Sequence, residues 1–246
     1  MKKIVLTLSS LLLSASAFAT GDSTSAQQCD AQKNWAHAEY TFTEKHGEKQ
    51  SQKHLGLWRK PNVVAHEYPA NNITQMWEHG HERVKATRFF DSHARAIEYQ
   101  PGEAIHGRVD SDWEYRNQLI KDAFISQLTK VSSRGEGCAQ EDRYHLEKDN
   151  ETIDLVWMPA QDLLVSFSVK RGDKEIRWQQ DAVNHDEQAI KAFFAKRSEF
   201  QTTDFADIGD DHTDPFLTNM VHQGFIEAGA SGFYDANGNA IGEHHH

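Results

Sequence analysis

The chain has 246 residues, with 26 basic against 37 acidic side chains and a formal charge of −11. With no basic cluster to offset it, that balance excludes nucleic acid and anionic lipid surfaces as partners, because like charges repel. The length allows one large β domain, or a domain with an appendage.

Residues 1–19, MKKIVLTLSSLLLSASAFA, combine Lys2 and Lys3, an apolar run too short to span a bilayer, and an Ala17-Phe18-Ala19 cleavage signal. They predict a cleaved bacterial secretory signal peptide. Its removal takes away two lysines and no acids, so the formal charge becomes −13, and the mature chain is expected in the periplasm or outside the cell. No later segment is apolar enough to be an integral membrane span. Cys29 and Cys138 suit an oxidising compartment, and a bridge between them closes a loop worth roughly 4–5 kcal/mol on the chain-entropy account. Without a Cys-x-x-Cys pair, the expected role of that bridge is structural.

Residues 20–28 are small and polar and read as a flexible leader, followed by a short helix through Trp35. Alternating residues then predict strands at 36–44, 53–60 and 63–69, with the polar run Lys45–Gln52 as the first turn and Pro61-Asn62 as the second. Further strands are expected at 73–79, 82–90 and 93–100, separated by turn residues at Asn71-Asn72, Gly80 and Asp91-Ser92. This spacing is that of an antiparallel meander. Ser111-Asp112-Trp113-Glu114 reads as a capping box for a helix carrying Trp113, Ile120, Phe124 and Leu128, with Gly135 past its end. Strands return at Arg143–Glu147, Thr152–Trp157, Leu163–Lys170 and Glu175–Val183. Asn184 followed by Glu187 is expected to cap a helix bearing Ile190, Phe193 and Phe194. An acidic stretch leads to Asp214-Pro215, cap and first residue of a short helix ending near Gly224. Asn237-Gly238 suggests a final tight turn. The organisation expected is therefore a signal peptide at 1–19, a leader at 20–28, one domain at 29–200, and an acidic C-terminal extension at 201–246 with a His-ending tail.

The order Tyr40-Thr41-Phe42-Thr43-Glu44-Lys45, then Gly56-Leu57-Trp58-Arg59-Lys60-Pro61-Asn62, then a meander, a helix and closing strands, resembles the periplasmic lipoprotein carrier (LolA-like and RseB-like) family. The resemblance covers about 30–184 and is sharpest at 57–62. It implies an α+β fold in which a curved antiparallel sheet forms an incomplete β-barrel covered by amphipathic helices. It also implies a carrier that shields lipoprotein acyl chains between a membrane-anchored donor and a receptor. The expected partners are thus a lipid or a lipidated protein. Two positions that the family ties to cargo transfer, an arginine before Pro-Asn and an aromatic residue two places after the asparagine, hold Lys60 and Val64 here.

A one-layer curved sheet must bury its apolar face, and two amphipathic helices are few for about ten strands. The remaining surface is expected to wall a cavity, with Tyr40, Phe42, Leu57, Trp77, Phe89, Trp157, Phe167 and Trp178 as candidate ligand-binding residues. The same side chains also suit a filled core, which would make the chain a structural or interaction module. Fifteen histidines raise a second alternative, a His-rich metal-binding protein. Its candidates are His79 and His81, two apart across Gly80, and the terminal His244, His245 and His246. No third ligand is fixed for the first pair. The acidic run from Asp204 to Asp214 lacks the glycine and terminal glutamate of a calcium loop, and Ala240 stands at the glycine position of the later Asp235–Asn239 comparison. No nucleophile elbow, His-Glu-x-x-His, phosphate loop or paired-cysteine motif is present, so neither catalysis nor a cofactor is expected.

Overall fold

The structure, a computed structural model, describes residues 21–81, 83–105, 108–109, 112–208, 214–222, 233–234 and 240–241. Helix α1 (Gly21–Asn34) leads into β1 (Ala36–His46), β2 (Lys49–Lys60), β3 (Val63–Tyr68), β4 (Ile73–Gly80), β5 (Arg83–Phe90) and β6 (Arg95–Tyr99). Two short strands, β7 (Ala104–Ile105) and β8 (Arg108–Val109), pair with each other. Then come helices α2 (Trp113–Gln118) and α3 (Asp122–Ile125), and strands β9 (Thr129–Arg134), β10 (Glu141–Lys148), β11 (Glu151–Met158), β12 (Leu163–Arg171) and β13 (Lys174–Asn184). The chain continues through α4 (Glu187–Ser198), β14 (Gln201–Asp204), α5 (Pro215–His222) and the paired β15 (Phe233–Tyr234) and β16 (Ala240–Ile241).

Twelve strands form one sheet in the order β14-β6-β5-β4-β3-β2-β1-β13-β12-β11-β10-β9, antiparallel except where β14 lies parallel to β6. The ends, β14 and β9, do not pair, so the barrel stays open. This is the incomplete antiparallel barrel with covering helices that the sequence resemblance implied. Strand alternation divides the residues between two faces. One face carries Tyr40 opposite Leu55, Leu57 opposite His66, and Val64 opposite Trp77, while the other carries Trp58, Ala65 and Met76 in direct cross-strand register. Burying both faces requires helices on both sides. Ile190, Phe193 and Phe194 of α4 cover the Trp58 face, while the main core and the α5 contacts lie on the Leu57 face, here called the inner face.

Four local expectations are corrected. The predicted polar turn 45–52 is mostly strand, because β1 and β2 pair out to His46 and Lys49 and leave only Gly47 and Glu48 as the turn. The single helix expected from Trp113 through Leu128 is broken: Leu119 adopts a left-handed conformation (φ 66°) and closes α2 through its N–H to Tyr115 O, 2.8 Å. Asp112 accepts from Tyr115 N at the start of α2, and Glu114 instead accepts from Asp122 N, opening α3. Ser111 lies outside the described residues. At α4 the cap is Asp186, which accepts from Gln188 N and Ala189 N, while Asn184, two residues earlier, accepts from the Asp186 amide. Asp214 caps α5 as predicted, accepting from Phe216 N and Leu217 N.

Cys29 and Cys138 form the expected disulfide, with Cα atoms 5.0 Å apart. It fastens α1 to the turn before β10. Gln161 donates to Cys138 O at 2.7 Å, and buried Arg59 donates to the carbonyls of Gln161, Asp162 and Asn117. Lys33 of α1 pairs with Asp162 at 2.6 Å. Arg59, from the segment of sharpest resemblance, is therefore an internal clamp. Burial lowers its pKa to about 10, and Asp162 opposes that shift. No helix among the described residues is long and apolar enough to cross a membrane.

Candidate ligand-binding groove

The inner face carries a row that crosses β10, β11, β12, β13, β1 and β2 in direct register: Tyr144, Leu155, Phe167, Trp178, Phe42 and Lys53. Successive strands stand about 4.7–4.9 Å apart, so neighbours in such a row touch and present one continuous apolar band. Phe42 and Trp178 have ring centroids 5.0 Å apart. Over the band, α2 contributes Tyr115, α3 contributes Phe124 and the turn between them contributes Leu119 and Ile120, and the Phe124 ring meets Phe167 edge-on at 5.8 Å. The helices are short and the band is long, so the cover is incomplete.

Among the described residues, two hollows lie between these helices and the sheet. One, of about 440 Å³, is walled by Leu119, Ile120, Phe124, Leu164, Phe167 and Trp178. The other, of about 170 Å³, lies among Phe42, Lys53, Leu55, His66, Tyr68 and Trp178. Tyr115, Leu119 and Trp178 border both, so the two form adjoining parts of one groove. The larger hollow alone falls within the size range of small-molecule sites, and its lining is dominated by aromatic and aliphatic carbon.

The expected wall residues divide into three groups. Phe42, Phe167 and Trp178 line the groove. Tyr40, Leu57, Trp77 and Trp157 lie beneath it, each no more than 4% exposed, in the core that supports it. The Tyr40 hydroxyl there donates to Leu164 O at 2.9 Å. Phe89 is on the other face, edge-on to Phe200 at 5.9 Å. Of the two positions named by resemblance, Val64 is fully buried in the inner core, and Lys60 reaches over the Phe194 ring of α4 at 4.7 Å. These two residues therefore sit on opposite faces.

Sequence reasoning passed over Tyr115, Leu119, Tyr68 and His66. His66 is the polar group at the groove's base. Its Nε2 lies 2.8 Å from Arg116 O, so the imidazole donates there, and its ring meets Trp77 edge-on at 4.8 Å. Burial is the main cause that lowers its pKa to about 3, with the neighbouring Arg116 charge adding to it and the carbonyl opposing. At neutral pH the base is consequently uncharged. Arg116 lies over the Trp77 ring at 4.5 Å.

Among the described residues, no three His, Cys, Asp or Glu side chains gather as a metal-binding group. His79 stacks on Trp113 at 5.1 Å, whereas His81 occupies a left-handed turn (φ 48°), so the pair does not converge. His244, His245 and His246 lie outside the described residues. On the outer face, Thr41 donates to Asp181 at 2.6 Å and stands 3.2 Å from His54 Nδ1. The histidine is not between hydroxyl and carboxylate, so the trio lacks the order of a nucleophilic relay.

Neither a protein-family model nor a curated protein matches the chain in sequence. Solved structures similar to it include PNGF-II, at 9% identity and TM-score 0.34 over 72% of this chain and 32% of that one. The Pseudomonas aeruginosa MucA/MucB complex matches at 10% identity and TM-score 0.32, over 68% of this chain and 60% of that one. A domain assigned to outer membrane lipoprotein sorting, from Vibrio parahaemolyticus, matches at 8% identity and TM-score 0.30, over 70% of this chain and 97% of that one. The chain thus spans about a third of the length of the PNGF-II structures, 32% and 33%, and nearly all of the lipoprotein-sorting domain.

Proposed function

We propose that this chain is a non-enzymatic carrier or binding protein, exported to the periplasm, that holds a lipid or the acyl chain of a lipidated protein in the groove of its inner face. A membrane-anchored donor or receptor is the partner this reading calls for. The observation that supports it most is the partly covered apolar band from Phe167 through Trp178 to Phe42, beside which the side chains of the described residues leave a hollow of about 440 Å³. Each methylene buried there contributes about 0.8 kcal/mol, so an acyl chain gains affinity in proportion to the length it can sink. The signal-peptide pattern at 1–19 and the Cys29–Cys138 bridge fit export to an oxidising compartment.

The test is native mass spectrometry of protein released from the periplasm, paired with tryptophan quenching by a bromine-labelled fatty acid. The expected result is a co-purifying apolar molecule, and a quenchable emission component that Trp178→Phe removes. Protein free of any apolar guest, together with emission indifferent to the labelled lipid, would end the carrier reading.

A further inference from the structure

We infer that the guest is a single-chain amphiphile with an anionic head, and that Lys53 is the group that recognises that head. This deepens the carrier reading and rests on it. The row Tyr144, Leu155, Phe167, Trp178, Phe42 changes character at its β2 end, where Lys53 stands directly opposite Phe42. Its side chain is half-buried and lines the smaller hollow with Leu55, Tyr68 and Trp178. Among the described residues, no acidic side chain lines that hollow. Glu44, the carboxylate next along the same strand face, is exposed and pairs opposite Ser51, and among the described residues no carboxylate lies within ion-pair distance of Lys53.

The contrast with the other groove lysine is informative. Lys121, bordering the larger hollow, is held by Asp112 at 2.5 Å. One cation is thus neutralised within the molecule, and the other is left facing an apolar space. A half-buried ammonium lacking a partner loses hydration without compensation, so a ligand that brings an anion to it removes an existing cost. The neutral His66 at the base and the aromatic wall supply no competing charge. An acyl tail laid along the row towards Phe167 would place its head at Lys53. The net charge of −11 disfavours anions at long range, so this preference has to come from a short contact.

The experiment compares dodecanoate, dodecanol and dodecyltrimethylammonium, all below micelle-forming concentration at pH 7.5, as displacers of a fluorescent apolar probe from the full mature chain. Dodecanoate is expected to bind at least about tenfold tighter than dodecanol, the size of one charge-assisted contact. Lys53→Met should remove that difference while keeping dodecanol affinity, and Lys53→Glu should transfer the preference to the cationic detergent. Lys53→Gln, with thermal melts on every variant, separates loss of recognition from loss of fold. Equal affinities for the three compounds, or a preference for dodecanoate that survives Lys53→Met, would overturn the assignment and leave the carrier reading standing. Failure of all three to displace the probe would sink both.

Discussion

His66 shows how a single residue sets the chemistry of the groove floor. A histidine whose folded pKa is about 3, against 6.5 when free, binds its proton more readily in the unfolded chain. Its contribution to stability is therefore complete above pH 6.5 and is lost as pH falls from 6.5 towards 3. The slope within that window is about 1.4 kcal/mol per pH unit, so lowering pH from 6.5 to 5 should cost roughly 2 kcal/mol from this group alone. Urea unfolding across that range should show the decline in the native chain and a flatter profile in His66→Gln, which cannot take up the proton. Parallel profiles would mean that His66 is hydrated rather than sealed. Nothing in the residue pattern points to this role, because Val63-Val64-Ala65-His66-Glu67-Tyr68 places a histidine where strand alternation merely points a side chain inward. By contrast, Phe42, Phe167 and Trp178 were readable as wall residues, since each is an aromatic on the apolar side of a period-two strand.

At the level of elements, the outer-face helix α4 is fixed by a column of stacked groups. His37 lies on Trp58 at 3.6 Å between ring centroids, Trp58 on Phe193 at 4.0 Å, and the Arg197 guanidinium on Phe193 at 3.7 Å. Arg197 also pairs with Glu67 at 3.1 Å and Asp91 at 2.9 Å, and Glu67 in turn accepts from the Trp58 indole at 2.9 Å. Aromatic stacking and ion pairing thus reinforce one another around one ring. Phe193→Ala empties the middle of the column and should destabilise the fold by about 3–5 kcal/mol in urea unfolding. Probe affinity of the remaining folded protein should stay unchanged, because the groove is on the other side of the sheet. A coupled loss of affinity would show that the two faces communicate through the strands.

The same helix marks where sequence reasoning succeeds and where it stops. Ile190, Phe193 and Phe194 at helical spacing announced α4, yet an amphipathic stripe does not say which face of a sheet it will cover. Trp113, Ile120, Phe124 and Leu128 also recur at helical spacing, but the left-handed Leu119 divides them, a backbone choice made by packing against the band rather than by any glycine or proline. β9 escaped notice because all six of its residues are exposed, so no alternation marks it. β14 escaped notice because a parallel edge strand draws its register from β6, far away in the chain. The antiparallel hairpins were legible since each is set by neighbours in sequence and a turn between them.

For the whole molecule, the central question is how an unclosed sheet divides its inner face between its own helices and a guest. The row from Tyr68, which borders the groove, runs directly on to Ile73, Phe90 and Arg95 across β4, β5 and β6. There the apolar surface is covered by Leu217 and Met220 of α5, packed with Ile73, Phe90, Ile97 and Tyr99. Arg95 ties this helix down through Asp214 at 2.5 Å and through the Phe216 ring at 4.6 Å. The groove is therefore bounded at that end by a helix and not by the sheet itself. Replacing both Leu217 and Met220 by lysine would put two charges against a buried apolar surface and should lift α5 off it. Greater binding of a fluorescent apolar probe should follow, with a lower unfolding midpoint and a shift in preference towards longer acyl chains. Measured over a fatty-acid series, an unchanged chain-length optimum alongside the lowered midpoint would show that α5 only stabilises the β4–β6 end, and that the groove's length is set by α2 and α3 alone.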